Sequence, residues 1–585
     1  MKRALVAFVL LVTSVSAQRG APPPGPETTG PGRPASSITP VTDAMLQNPD
    51  PNDWLMWRRT LNTWGFSPLD QIKKNNVKDL RMAWTRGLTA GIQEGTPLVH
   101  NGIMFIPNPG DDIYAVDART GDMIWEYKRK LPEGVRGKTT RTMAMWGTTL
   151  INSSSDNVIY ALDMASGKLV WETRVLDAKM RAPTSGGPIV ANGKVITGRQ
   201  CQPDATRESC VVTAHDAKTG KELWRFHTIP GPGEPGDESW GGVPMNQRWH
   251  VGTWMVPSYD PELNLVILGT SVTIPAPKFT LAGADKQYLF HNCTLAINAD
   301  TGKLVWYYQH IVDHWDLDHP FERLLVDTAV APNASEVRWI NPKVRAGERR
   351  KVVTGIPGKT GVVYTLDRAT GEFLWARPTV SQNVISNIEP TTGKVIVNPE
   401  VVFTKLNDER FVCPGSNGGK NWPAGAYSPL TNTMYMPLQN LCMTATTTTD
   451  QRDPSKVYGI TMKPEFAIGA DKVGTVWAIA ADTGKTMWKH EQRAGTLSLM
   501  ATGGGLVVGG DANGRFKAYD DKTGQVLWET IVGSASSGYP ITYAVNGKQY
   551  FAIITGPSLA AQSDERQTPE YTATNAPNIF VFALP

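Results

Sequence analysis

Apolar and polar residues alternate in short runs along this chain, and the runs come in pairs joined by one kind of turn and closed by a tryptophan. The phrase reads IYAVDARTGDMIW ending at Trp125, IYALDMASGKLVW at Trp171, VTAHDAKTGKELW at Trp224, TLAINADTGKLVW at Trp306, VYTLDRATGEFLW at Trp375, VWAIAADTGKTMW at Trp488 and FKAYDDKTGQVLW at Trp528. Alternation with a period of two is the signature of a half-buried β-strand, and a Thr-Gly or Ser-Gly turn places glycine where positive φ is needed. Each copy therefore predicts strand, turn, strand. One hairpin cannot bury its own apolar face, so copies pack on neighbours, and a closed ring removes the exposed edges.

The spacing predicts the number of units. Trp125 and Trp171 are 46 residues apart and Trp488 and Trp528 are 40 apart, the length of a four-stranded blade, whereas the gap from Trp375 to Trp488 has room for about two. That gap contains YSPLTNTMYMPL, which reads as a hairpin without its tryptophan, and NVKDLRMAW adds an outer-strand tryptophan at Trp84. The expectation is an all-β, eight-bladed β-propeller with Trp-docking repeats, in which the repeated tryptophans pack blade on blade.

Composition narrows the partners. The 585 residues are 41% hydrophobic and 19% charged with a formal charge of +4, which leaves no basic surplus for nucleic acid. Lys2 and Arg3 precede the apolar run ALVAFVLLVTSV, and Val15-Ser16-Ala17 offers small residues for cleavage, so residues 1–17 read as a signal peptide cut after Ala17. Residues 18–40 are rich in Pro and Gly and are expected to be a disordered leader, with 41–585 forming a single propeller. No later stretch reaches membrane-spanning length, so the mature protein is expected to be periplasmic or secreted, without an integral membrane segment. Of five cysteines, Cys201 with Cys210 and Cys413 with Cys442 are placed to staple loops, and Cys293 remains as a buried thiol. No CxxCH motif occurs, so the chain offers no attachment site for c-type haem.

The most chemically dense segment is YYQHIVDHWDLDHPFERLLVD, residues 307–327. Asp313, Asp316, Asp318, His314 and His319 follow a blade strand, where loops face the axis. Two carboxylates spaced as in WDLD can reach one hard cation if the loop is irregular. A solvated turn with His–Asp hydrogen bonds is the alternative.

The Trp repeats together with EGTPLV at Glu94–Val99 and HWDLD at His314–Asp318 resemble the soluble, periplasmic pyrroloquinoline quinone (PQQ)-dependent methanol and alcohol dehydrogenases, over about Asp53 to Leu584. The resemblance implies a site residue by residue. Glu94, Arg141 and Thr184 match positions that hold the acid groups of the quinone, and Trp254 matches the tryptophan beneath its plane. Lys359 falls beside the reactive carbonyls, and Asn421, Trp422 and Asn440 with Cys442 match further cofactor-side positions. Such a set suits a flat tricarboxylate, which needs an aromatic face, a guanidinium fork for a carboxylate and a point charge for an oxygen being reduced.

For the metal, the resemblance implies Asp316 as a ligand and Asp318 as the extra aspartate of lanthanide-using members. The family glutamate falls in CQPDATRESC, on Asp204 or else Glu208. The family asparagine is missing from GTSVTIPAP, where Ser271 or Thr273 stands in its place. The ion is calcium or a lanthanide, and loss of the metal is the third possibility. The implied reaction is oxidation of a primary or secondary alcohol, with Asp316 and Lys359 as catalytic residues and a separate cytochrome c as electron acceptor. No adjacent cysteines precede Arg141, unlike methanol-type members. Residues 269–292 and 443–459 read as loops over the mouth that set pocket size. A non-catalytic propeller of the outer-membrane assembly type is the competing class.

Overall fold

In six of the seven repeats an Asp or Asn opens the turn and folds it, Ala480 taking that position in the repeat of Trp488. The Asp117 carboxylate accepts from the Arg119 and Thr120 N–H groups (2.9 and 3.2 Å), and Gly121 N–H returns to the Asp117 carbonyl. Asp216, Asn298, Asp367 and Asp520 make the same two backbone contacts. Directly across the hairpin from four of these tryptophans stands an alanine: Ala115 opposite Trp125, Ala161 opposite Trp171, Ala214 opposite Trp224 and Ala296 opposite Trp306. In all four the register slips by one residue immediately afterwards, a bulge that re-aims the strand after the indole.

The structure is a computed structural model. It describes residues 27–34, 37–138, 140–182, 184–202, 206–448, 458–561, 566–571 and 574–585. The fold is all-β, as the alternation predicts. Among the described residues the strands form eight antiparallel-rich sheets of four or five strands, plus one of two strands and one of three.

The turn glycine of one sheet lies against the tryptophan of the sheet before it. A Cβ on Gly121 would meet the Trp84 ring at 2.6 Å, one on Gly167 the Trp125 ring at 2.7 Å, and one on Gly220 the Trp171 ring at 2.4 Å. The same holds for Gly302 with Trp224, Gly371 with Trp306, Gly484 with Trp375 and Gly524 with Trp488. Several indoles also donate to the next sheet, as Trp125 Nε1 does to the Met164 carbonyl (2.9 Å). The last link is Trp528 packed edge-on against Phe582 at 5.3 Å. Phe582 lies in Asn578–Ala583, which pairs with Arg81–Gly87, the strand of Trp84. An early strand thus completes the last sheet, and no sheet in this sequence of contacts is left without a neighbour.

Two expectations change. The segment YSPLTNTMYMPL is no separate unit: Ala426–Ser428 and Thr433–Gln439 pair with Gly474–Ala480, which pairs with Thr486–Gln492, the strand of Trp488. The gap between Trp375 and Trp488 holds one sheet, and the extra length builds a hairpin, Ile385–Ile388 with Val395–Val397, and the three strands Glu409–Val412, Leu441–Thr447 and Ile460–Phe466. Part of the expected leader is structured: Glu27–Thr29 adds an edge strand to Met123–Lys128, and Arg33 pairs with Asp117 at 2.5 Å. Unpaired edge N–H and C=O groups recruit this segment despite its composition. The signal-peptide reading of residues 1–17 lies outside the described residues.

Candidate active site

The loop His314–Asp318 alternates as a strand would, with its two faces in different surroundings. Trp315 and Leu317 are fully buried in an apolar cluster, with Trp315 Nε1 donating to the Val401 carbonyl (2.8 Å). Asp316 and Asp318 turn the other way. Asp313 shapes the bend, its two oxygens accepting from Trp315 N–H (3.1 Å) and Asp316 N–H (2.9 Å). Asp316 is held at φ 70°, a left-handed conformation that a non-glycine residue keeps only when its surroundings impose it.

Both carboxylates converge on one ammonium. Lys359 Nζ lies 3.1 Å from Asp316 Oδ2, 3.2 Å from Asp318 Oδ2 and 3.0 Å from the Asp316 carbonyl. The Lys359 backbone N–H donates to the Asp318 carbonyl (2.9 Å), which sets the two segments side by side. Asp318 also accepts from Val272 N–H (2.9 Å), in the segment 269–292 expected to border the mouth.

Two acids sharing one base titrate apart. Burial pushes the Asp316 carboxyl well above the usual carboxylate range, with Lys359 opposing and Asp318 reinforcing the rise. Burial would raise Asp318 too, but Lys359, His250 and the Val272 N–H outweigh it and hold Asp318 below its ordinary value. Burial would lower Lys359, and the two carboxylates overcome this and raise it.

A second group assembles around an aromatic face. Trp254 meets Phe321 edge-on at 5.5 Å and Trp422 at 6.5 Å. The Arg141 guanidinium lies 5.4 Å from the Trp254 ring and 5.1 Å from the Trp422 ring, and Arg141 Nη2 pairs with Glu94 at 2.6 Å. Burial raises the Glu94 carboxyl against the pull of Arg141. The groups are joined through the backbone: Gly419 N–H donates to the Lys359 carbonyl (2.7 Å), two residues before Asn421 and Trp422. Five buried polar atoms of these candidate residues lack a hydrogen-bond partner: Glu94 Oε1, Thr184 Oγ1, Arg141 Nε, Trp422 Nε1 and Asp316 Oδ1. Buried polar groups are nearly always satisfied, so such a set marks a place for a polar ligand or water.

The remaining candidates divide. Asn421 is buried beside Trp422, its side-chain carbonyl accepting from Trp422 N–H (3.0 Å). Asn440 instead accepts from Ser381 N–H (3.1 Å), and among the described residues no contact joins it to Trp254, Asp316 or Lys359. Thr273 is buried next to Val272 but its hydroxyl donates to the Trp249 carbonyl (2.8 Å), and the Ser271 hydroxyl is engaged by the His250 carbonyl and Gly252 N–H. Glu208 lies on the surface, not in the cluster, because its exposed carboxylate turns out to His227 (3.2 Å). Asp204 lies outside the described residues. Among the described residues no group of three or more His, Cys, Asp or Glu side chains makes a metal cage. His314 is buried and burial drives its basicity well down, so it is not a charged partner for the acids. Both expected disulfides are present, and Cys293 is a buried thiol.

Tyr458 and His250 were not legible as site residues. Their rings meet at 5.9 Å, and the charges of Asp316 first, then burial and Asp318, push the Tyr458 hydroxyl well above its ordinary value. The one signal was position, since Tyr458 is the next-to-last residue of the segment 443–459. A cavity of about 710 Å³ lies elsewhere, lined by Trp64, Tyr259, Tyr427 and Arg368, with none of the candidate residues in its walls. Arg368 there is already paired with Asp260 at 2.8 Å, so the poised chemistry is at Asp316 and Lys359.

A family model for the β-propeller domain of PQQ-dependent glucose, ethanol and alcohol dehydrogenases matches residues 54–391 and 470–551. The chain belongs to the PQQ-dependent dehydrogenase family. It is 33% identical over 555 residues to the dehydrogenase subunit of the quinone alcohol dehydrogenase of Komagataeibacter europaeus, covering 86% of this chain and 72% of the relative. It is also 33% identical over 542 residues to quinohemoprotein alcohol dehydrogenase ADH-IIG of Pseudomonas putida, covering 87% and 73%. A europium-containing methanol dehydrogenase superposes with a TM-score of 0.80 at 26% identity, over 92% of this chain and 99% of the other. These relatives bear out the reading of the chain as a PQQ-dependent alcohol dehydrogenase. No described helix is long and apolar enough to cross a membrane.

Proposed function

We propose that this protein oxidises a primary or secondary alcohol to an aldehyde or ketone at the hub of an eight-bladed wheel formed by residues 41–585, and passes the electrons to a separate cytochrome c. One observation carries the reading: Asp316 and Lys359, 43 residues apart in the chain, meet at 3.1 Å in a buried hub beside an aromatic and guanidinium group. Quinohemoprotein relatives support a haem acceptor.

The donor set fits PQQ. Trp254 would lie beneath its rings, Arg141, Thr184 and Glu94 would hold its acid groups, and Asn421 and Trp422 would close the rim. When bound, PQQ supplies an ortho-quinone that accepts hydride from the alcohol carbon. Asp316 Oδ1, buried and without a partner, receives the alcohol hydroxyl proton, and its raised affinity for protons suits a general base. Lys359 Nζ holds positive charge where negative charge develops on oxygen. Burial of the cluster excludes water.

Asp316 and Asp318 supply two charges against one from Lys359, and this excess suits a calcium or lanthanide ion, which supplies Lewis acidity. The europium-containing neighbour supports a metal, and Asp318 supports the trivalent choice. Export to the periplasm is supported by the sequence of residues 1–17.

The test is dye reduction by purified protein reconstituted with PQQ and with calcium or lanthanum, across a panel of primary and secondary alcohols. Turnover that requires both PQQ and alcohol is expected. Absence of dye reduction with every alcohol and both ions would overturn the reading.

A further inference from the structure

Glu322 and Lys420 form an ion pair at 2.7 Å with side chains only 1% and 0% exposed. An ion pair this deep gains little stability over apolar residues of similar volume, because removing both charges from water offsets their attraction. Its geometry gives it another use.

The Glu322 carboxylate holds both ends of one short segment. One oxygen pairs with Lys420, and the other accepts from Gly425 N–H at 2.8 Å. Lys420 spends its two remaining donors within the same segment, on the carbonyls of Asn421 (3.0 Å) and Pro423 (3.2 Å). The middle of that segment carries Asn421 and Trp422. Glu322 directly follows Phe321, whose ring stands edge-on to Trp254 and lies 5.1 Å from the Lys420 ammonium. The pair therefore ties the acid-bearing segment that ends at Arg323 to the segment bearing Trp422. Tyr539 adds a further hold, its hydroxyl donating to the Trp422 carbonyl at 3.1 Å.

We propose that Glu322 and Lys420 are positioning residues that clamp segment 420–425, so that Asn421 and Trp422 face Trp254 at the spacing the quinone requires. The inference rests on the PQQ-dependent reading above. It concerns residues that touch neither substrate nor the reacting atoms.

The experiment titrates PQQ into the metal-loaded protein and follows quenching of indole fluorescence, with thermal melting alongside, for wild type, Lys420→Met, Glu322→Gln and the double variant Glu322→Leu/Lys420→Met. Lys420→Met, which strands a buried carboxylate, is expected to lower the melting temperature. The double variant is expected to recover most of that loss while binding PQQ about tenfold more weakly than wild type. A purely structural pair would restore melting and quinone affinity together, and that result would overturn the proposal. Glu322→Gln keeps an acceptor for Gly425 N–H and provides the check if the double variant does not fold: weaker quinone binding supports the clamp, and unchanged binding overturns it. Wild type that shows no quenching would instead sink the PQQ reading, and the clamp with it.

Discussion

Lys359 is, among the described residues, the one ammonium paired with both Asp316 and Asp318, reaching one at 3.1 Å and the other at 3.2 Å, all three side chains being buried. Lys359→Met leaves two carboxylates facing each other without a counter-charge. Removing one partner of a buried ion pair destabilises by about 3–5 kcal/mol, and the cation-free variant is expected to melt correspondingly lower. The deficit has a pH sign. Asp318 is held below its ordinary value, so its stabilising contribution is present above the unfolded carboxylate range and fades as pH falls through the lower folded value. Lys359 is raised, so its contribution is full below its ordinary value and fades only in strong alkali. Melting curves from acid to neutral pH should therefore show the gap between variant and wild type widening toward neutrality. Added calcium or lanthanum should raise the melting temperature of the variant more than that of wild type; no shift in either protein would count against a cation at these carboxylates.

Gly167 touches the face of Trp125, and a Cβ there would lie 2.7 Å from the ring and 2.9 Å from the Thr28 methyl, at φ 69°. Gly167→Ala combines backbone strain with overpacking and is expected to destabilise by about 2–4 kcal/mol. Gly547, at φ 76° with nothing within 4 Å of a new Cβ, isolates the backbone contribution, and Gly547→Ala is expected to lose about 1 kcal/mol. Urea unfolding of the two variants checks the difference. Equal losses would mean that the glycine in the repeat serves the turn alone and not the contact between sheets.

That contrast shows what the sequence could reveal. The Trp and Thr-Gly phrase is local, so hairpins and their mutual packing were readable from spacing. Packing that uses unpaired edges is not local, and the strand Glu27–Thr29 was therefore missed in a stretch whose composition suggests disorder. The long gap before Trp488 misled for a related reason: YSPLTNTMYMPL supplies two strands of the Trp488 sheet itself, separated from the rest of that sheet in sequence by an inserted strand pair. At the site, Asp316 and Asp318 stood out as a cluster, but their meeting with Lys359 came only from family resemblance. Glu322 and Lys420 lie 98 residues apart with no motif, and only the folded chain brings them together. Asn440 matched a motif, yet its side chain serves Ser381.

Asp111 offers a pH test away from the active site. It is buried, accepts from the Ser154 hydroxyl and Ser155 N–H (both 3.0 Å), and burial raises its carboxyl from 3.8 to about 6. A raised carboxyl means that the folded state binds the proton more tightly than the unfolded chain, so stability is lost as pH rises through this window. At about 1.4 kcal/mol per unit the loss approaches 3 kcal/mol by pH 7. Asp111→Asn keeps an acceptor and removes the titration. Its stability relative to wild type is expected to improve steadily between pH 4 and pH 7 in denaturant titrations, and a constant difference would refute the assignment.

Thr184 separates ligand binding from folding most cleanly. Its hydroxyl is buried and has no hydrogen-bond partner, and the next residue, Ser185, is tied to the group by its carbonyl accepting from Arg141 N–H (2.9 Å) and its hydroxyl donating to the Trp254 carbonyl (3.2 Å). An unsatisfied buried hydroxyl is unfavourable by about 1–3 kcal/mol, so the near-isosteric Thr184→Val should leave the ligand-free protein as stable as wild type or more so. If that oxygen instead waits for an acid group of the quinone, the same change removes a hydrogen bond to a charged acceptor. Quinone affinity is then expected to fall about tenfold, close to 1.4 kcal/mol, by fluorescence titration. Stability and affinity should thus move in opposite directions. A valine variant that gains stability and binds PQQ unchanged would show that the hydroxyl faces packing alone, and would remove Thr184 from the cofactor's surroundings.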